Sequence, residues 1–142
     1  MFLDALGLVS DAQAFGAAAV STNSIDLGNV TPKRQIGTGE PIGFGFQIDV
    51  SGTVAASLVE VISTTDAALT AGIVVEGSLL IPLAAALAGS LWFVPMPQGR
   101  PTQRFLGIRV TTAGGTITAT SWLTTHALFS VLAQPYAKNY QV

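Results

Sequence analysis

From Ile42 to Val50 every even position is large and apolar, and every odd position is glycine or polar (Gly43, Gly45, Gln47, Asp49). A period of two marks a strand with one face buried, and Ser51-Gly52 ends it. Residues 54–63, rich in Val and Ile, predict a second strand closed by the polar turn Thr64-Thr65-Asp66. Shorter strands are predicted at 72–76, 79–83 and 91–96, with Gly and Pro between them. Over 104–112, Leu106, Ile108 and Val110 alternate with Phe105, Gly107, Arg109 and Thr111, and the alternation resumes at 116–123 beyond Gly114-Gly115. Two alternating runs across a Gly-Gly tip predict a hairpin, because glycine takes positive φ there without strain. The apolar run 126–132 predicts a last strand, and 133–142, with Pro135, a C-terminal tail.

About eight short strands without a long helix predict an all-β fold, an antiparallel jelly roll or β-sandwich, over residues 41–132. An immunoglobulin-type Cys-Trp-Cys core is impossible without cysteine. Residues 1–40 show no sustained period: they hold small residues (Ala17, Ala18, Ala19) and turn formers (Ser21, Thr22, Asn23, Ser24), with room for one helical turn at 4–9. They predict an extended N-terminal arm that contacts neighbouring subunits. Thirty extended residues reach on the order of 100 Å, and such arms cross neighbours or order when they dock.

Composition narrows the function. Hydrophobic residues make up 49% of the 142 and charged residues 10%, against roughly 25% charged in an average soluble domain. The surface therefore draws its polarity from Thr, Ser, Gln and Gly, or is covered by partners. The formal net charge is −2, and the six basic residues (Lys33, Arg34, Arg100, Arg104, Arg109, Lys138) are scattered. With no basic stripe, no nucleic-acid partner is expected. Absence of cysteine removes disulfides and thiolate chemistry and leaves the redox compartment open. The apolar start has no basic flank and carries Asp4 and Asp11, so no signal peptide is expected. Residues 77–99 are uncharged and long enough to span a bilayer. Pro82, Gly89, Ser90, Pro95 and Pro97 interrupt them, which favours two buried strands joined by a turn over a membrane span.

Catalytic chemistry finds little purchase. His126 is the one histidine, and no Gly-x-Ser-x-Gly elbow accompanies it. One His and no Cys do not build a zinc site, and Asp49, Glu60, Asp66 and Glu76 sit singly in different strands or turns. Ile36-Gly37-Thr38-Gly39-Glu40-Pro41 lacks the Gly-Lys-Ser/Thr ending of a phosphate loop and opens onto a strand, so it reads as a turn. No enzyme activity, cofactor or metal is expected. The threonines Thr111, Thr112, Thr116, Thr118 and Thr120 suit either a solvated sheet face or a contact surface.

Ser21-Thr22-Asn23-Ser24-Ile25-Asp26-Leu27-Gly28 in the arm and Ile36-Gly37-Thr38-Gly39-Glu40-Pro41 at its junction, in this order ahead of a β body, are together more specific than either motif. Their combination resembles the jelly-roll capsid cement (decoration) proteins of tailed bacteriophages. The resemblance implies a structural virion protein on the outer surface of an icosahedral head, made in the host bacterial cytoplasm, with no catalytic residues. It would bridge subunits of an HK97-like major capsid protein and pair with itself, as a homodimer or a trimer. It further implies an interface at Phe2, Leu3, Leu6, Phe15, Asn23, Ile25, Asp26, Leu27, Gly37, Thr38, Gly39, Glu40 and Pro41. The alternatives are another virion part (a head-fibre base or head–tail connector) and a carbohydrate-binding jelly roll. The latter needs an exposed platform from Trp92, Trp122, Tyr136 or Tyr140.

Overall fold

Nine strands and one short helix run through the computed structural model, which describes residues 7–29, 41–51, 56–82, 88–96, 101 and 103–132. The elements are β1 (Leu8–Phe15), β2 (Ala19–Val20), β3 (Ile25–Asp26), β4 (Ile42–Val50), β5 (Ala56–Thr64), β6 (Val74–Pro82), β7 (Leu91–Pro95), β8 (Phe105–Thr112), β9 (Ile117–Thr125) and α1 (His126–Leu132). One sheet has the order β1-β9-β4-β7, and the other β2-β8-β5-β6 with β3 also on β8. All the pairings are antiparallel. With β2 and β3 counted as one interrupted strand, two four-stranded sheets exchange strands along the chain in the order of a jelly roll.

The period of two in β4 is obeyed: Phe44, Phe46 and Ile48 are fully buried between the sheets with Val59, Val61, Leu106, Ile108 and Val110 from the facing sheet. On the opposite side of β4 the alternate positions are glycine because rings lie on them. A β-carbon on Gly45 would fall 2.5 Å from Trp122 Cε2, and one on Gly43 would meet the Phe93 ring at 2.8 Å.

Four expectations are corrected. First, residues 8–27 are not an arm, and the sandwich does not begin at residue 41. Strand β1 pairs with β9, while β2 and β3 line the outer edge of β8, and Val9, Phe15 and Leu27 belong to the core. Second, the Gly114-Gly115 tip does not close a hairpin. Both glycines have positive φ (83° and 69°), but β8 and β9 lie in different sheets, so the tip carries the chain from one sheet to the other. Third, residues 126–132 form a helix, α1, whose first turn is capped by Thr125 Oγ1 accepting from Leu128 N at 3.3 Å. It returns over the outer face of the β7 sheet, where Phe129 packs on Phe93 at 5.5 Å between ring centroids. Fourth, the strands expected at 72–76 and 79–83 are one continuous strand, β6. Gly77 marks no turn; the backbone of Pro95 approaches so closely that a β-carbon there has no room. Residues 133–142 lie outside the described residues.

Among the described residues no helix is long and apolar enough to cross a membrane. The two strands expected within 77–99 fall in separate sheets, β6 at one edge and β7 at the other, and the edges meet at Gly77 and Pro95.

Candidate interaction surfaces

The strand registers define two poles of the roll. One pole holds the start of β1, β4 and β8, the ends of β3, β5, β7 and β9, and the loop between β5 and β6. Here Asp26 receives a bidentate bond from Arg104 (Nε at 2.7 Å, Nη2 at 2.6 Å), which raises the guanidinium pKa further and locks β3 to the start of β8. The loop of residues 65–73 folds back on the sheet. Asp66 accepts from Thr70 N, Thr70 Oγ1 and Ala71 N at 2.7–2.9 Å, and these bonds hold its carboxyl below the ordinary carboxylate pKa. Ser24 Oγ donates to Ala67 O at 2.9 Å and ties the loop to the segment ahead of β3.

The other pole holds the β1–β2 turn, the end of β4, the start of β5, the end of β6, the turn into β7 and the β8–β9 tip. Its described residues (16–18, 50–51, 56, 82, 88–90, 113–116) include no charged side chain, and Val50 is 58% exposed. The sequence joining these strands, including 51–55 and 83–90, is likewise uncharged.

Between the poles, the outer face of the β6 sheet carries a line of apolar groups. Leu80 is 62% exposed and lies opposite Leu58, and Val75 lies opposite Ile62. Across this line runs one ion pair, Arg109 Nε to Glu60 Oε2 at 2.7 Å, with Glu60 almost fully covered. Apart from that pair the face is poor in charge among the described residues, as the centre of a protein interface is.

Of the residues expected at an interface, Asn23, Asp26 and Pro41 are exposed on the Asp26–Arg104 pole. Phe15 is fully buried against Phe46 (ring centroids 6.3 Å apart), and Leu27 is also buried, so both are core residues and neither is available to a partner. Ile25 is partly buried against the same core. Phe2, Leu3, Leu6, Gly37, Thr38, Gly39 and Glu40 lie outside the described residues. The exposed Leu80, Val75 and Val50 were not singled out by the sequence, since an apolar residue in a strand reads first as core.

No aromatic platform for a sugar forms from the two tryptophans: Trp122 lies on Gly45 and is buried, and Trp92 packs against the core with Nε1 donating to Ser90 Oγ at 3.1 Å. Tyr136 and Tyr140 lie outside the described residues. His126 stands edge-on to Phe93 at 5.0 Å, its backbone N–H bonded to Pro41 O at 2.8 Å. Among the described residues no three His, Asp or Glu side chains gather to hold a metal.

No curated protein matches the chain. A model of the Bbp16 family matches residues 9–125, the stretch from the second residue of β1 to the last residue of β9, and so takes in nearly the whole roll. The chain thus belongs to the Bbp16 family, a phage-related family.

Proposed function

We propose that this protein is a capsid cement protein: a non-catalytic virion component that sits on the outside of an icosahedral phage head and bridges major capsid protein subunits. The observation that carries the reading is a jelly roll of a phage-related family whose described residues present one pole without a charged side chain and the apolar Leu58, Val75 and Leu80 face. Such surface costs little to desolvate, so a rigid lattice can cover it without stranding ions. Each copy that touches two subunits gains its second contact as an intramolecular event, so modest interfaces together reinforce the shell. Self-association as a homodimer, with a trimer as the other closed form, would double the number of bridges.

Purified protein added to heads that lack it is expected to co-sediment with them and to raise their resistance to heat. Heads that take up none of it would contradict the reading.

A further inference from the structure

We infer that the β5–β6 loop is a latch: it holds the edge segment 19–27 on the roll, and the two open together. The device is a property of the roll itself and does not depend on what the roll binds.

Segment 19–27 has a meagre ladder of its own. Strands β2 and β3 pair with β8 at Ala19–Val110, Val20–Arg109, Ile25–Leu106 and Asp26–Phe105. Between them the chain leaves the ladder and Ser21 spans the gap, its N–H donating to Ile108 O at 2.8 Å and its Oγ accepting from Ile108 N at 3.2 Å. Leu27 is buried in the core, while Ala19 and Ile25 are partly covered. The Asp26–Arg104 pair lies in solvent, where water screens it. An edge with so few rungs and so little buried apolar surface belongs to the part of a fold that opens first.

Two neighbours keep it closed. From β1, Gln13 donates to Val20 O at 2.7 Å and accepts from Thr22 N at 2.8 Å. From the other side comes the loop. Leu69 reaches the side of β8 away from the core. Its Cδ2 lies 3.1 Å from where Gly107 would carry a β-carbon, with Cδ1 closer, and Ser21 Oγ lies 2.9 Å from the same point. Ala67 O accepts from Ser24 Oγ at 2.9 Å. Loop and segment thus meet at Ser21 and Ser24, the two ends of the stretch where the ladder is interrupted.

The loop has its own reason to move as a unit. Thr65 N donates to Ala71 O at 3.1 Å, and the Asp66 carboxylate spans Thr70 and Ala71. Leu69 sits at φ 60°, which a leucine keeps only while its surroundings impose it. Leaving the notch and relaxing the loop are therefore one event, and that event removes both contacts with 19–27. With 19–27 lifted, the backbone of Phe105–Val110 becomes an open strand edge, the kind that a strand of another chain can pair with.

Native-state hydrogen exchange of the full chain tests the coupling. It is read at the Ser21 and Leu27 amides of the segment, the Thr65 and Ala71 amides of the loop, and the Ile48 amide of the other sheet as reference. Leu69→Ala is expected to speed exchange at Ser21 and Leu27 at least about tenfold and to leave Ile48 within about twofold. Coupling is reciprocal, so Leu27→Ala is expected to speed exchange at Thr65 and Ala71. If Leu69→Ala does not fold, Asp66→Asn, which removes the loop's brace and alters nothing on β8, is read at the same amides. Faster exchange in the loop with Ser21 and Leu27 unchanged overturns the inference, since the loop then opens alone. Equal acceleration at Ile48 also overturns it, because Leu69 would then support the whole roll. So does a Leu27→Ala variant whose loop amides exchange as before.

Discussion

Leu69 occupies the space in which Gly107 would carry a β-carbon: its Cδ1 lies well inside contact distance of that position, and Ser21 Oγ lies 2.9 Å from it. Leu69 holds a positive φ of 60° and is nearly fully buried, so a strained residue of the β5–β6 loop is pinned into a notch on β8. Gly107→Ala should destabilise the fold by about 1–3 kcal/mol, as overpacking does. The cost should fall when Leu69→Ala is made in the same chain, because the two side chains compete for one space. Urea denaturation of the two single variants and the double variant measures this coupling; strictly additive losses would separate the residues.

The same loop depends on the Asp66 carboxylate. Its pKa in the folded protein is depressed below 3.8, mainly by the Thr70 hydroxyl and the Ala71 amide. A depressed acid contributes stability that is present above its unfolded pKa and lost as pH falls through the folded value. Asp66→Ala should therefore lower the melting temperature at neutral pH, and the gap to the unmodified protein should close below about pH 3.8. Hydrogen exchange at the Thr70 and Ala71 amides should accelerate over the same acid range. A gap that persists unchanged into acid would assign the loss to something other than the charged carboxylate.

The two ion pairs should differ in the opposite sense to their geometry. Arg104 holds Asp26 with two bonds but in solvent, while Arg109 holds the nearly buried Glu60 through Nε. Water screens an exposed pair, so its loss costs little, whereas breaking a covered pair strands a charge at a cost of about 3–5 kcal/mol. Arg109→Ala should be the more damaging single change in chemical denaturation. A larger loss from Arg104→Ala would mean that the pole, and not the sheet face, anchors β8.

Ser57 Oγ is buried with no hydrogen-bond partner among the described residues, opposite Thr112 on β8 and Ile81 on β6. Removing an unsatisfied hydroxyl recovers its desolvation penalty, so Ser57→Ala should be neutral or stabilise by up to about 1 kcal/mol. Marked destabilisation in a melt would reveal a partner for this hydroxyl.

The body of the roll was legible wherever alternation was unbroken. Strands β4, β8 and β9 fall close to where period two puts them, and β5 and β7 fall close to the Val/Ile-rich run and the apolar run between Gly and Pro that predicted them. Strand β1 escaped because its register shifts twice, at Leu8/Ser10 and Ser10/Gln13, with Ala12 at a positive φ of 43°. Each shift moves later side chains to the other face and erases the period. Strands β2 and β3 are two residues each, bridged by Ser21, whose N–H and hydroxyl both bond Ile108, a device no periodicity reports. Gly114-Gly115 announced a turn but not its destination, since positive φ serves a sheet-to-sheet crossing as well as a hairpin. In α1, a run of seven residues was too short for periodicity to separate helix from strand; the Thr125 cap was the signal within reach. For the surfaces, the composition announced little charge, and only strand pairing placed Phe15 and Leu27 inside and Leu80 outside.

Cryo-electron microscopy of the assembled particle tests the cement reading most directly. Jelly-roll density is expected outside the shell, repeated across its whole lattice and contacting more than one coat subunit per copy. Density for this chain inside the shell, or confined to the tail or its connector, would contradict it.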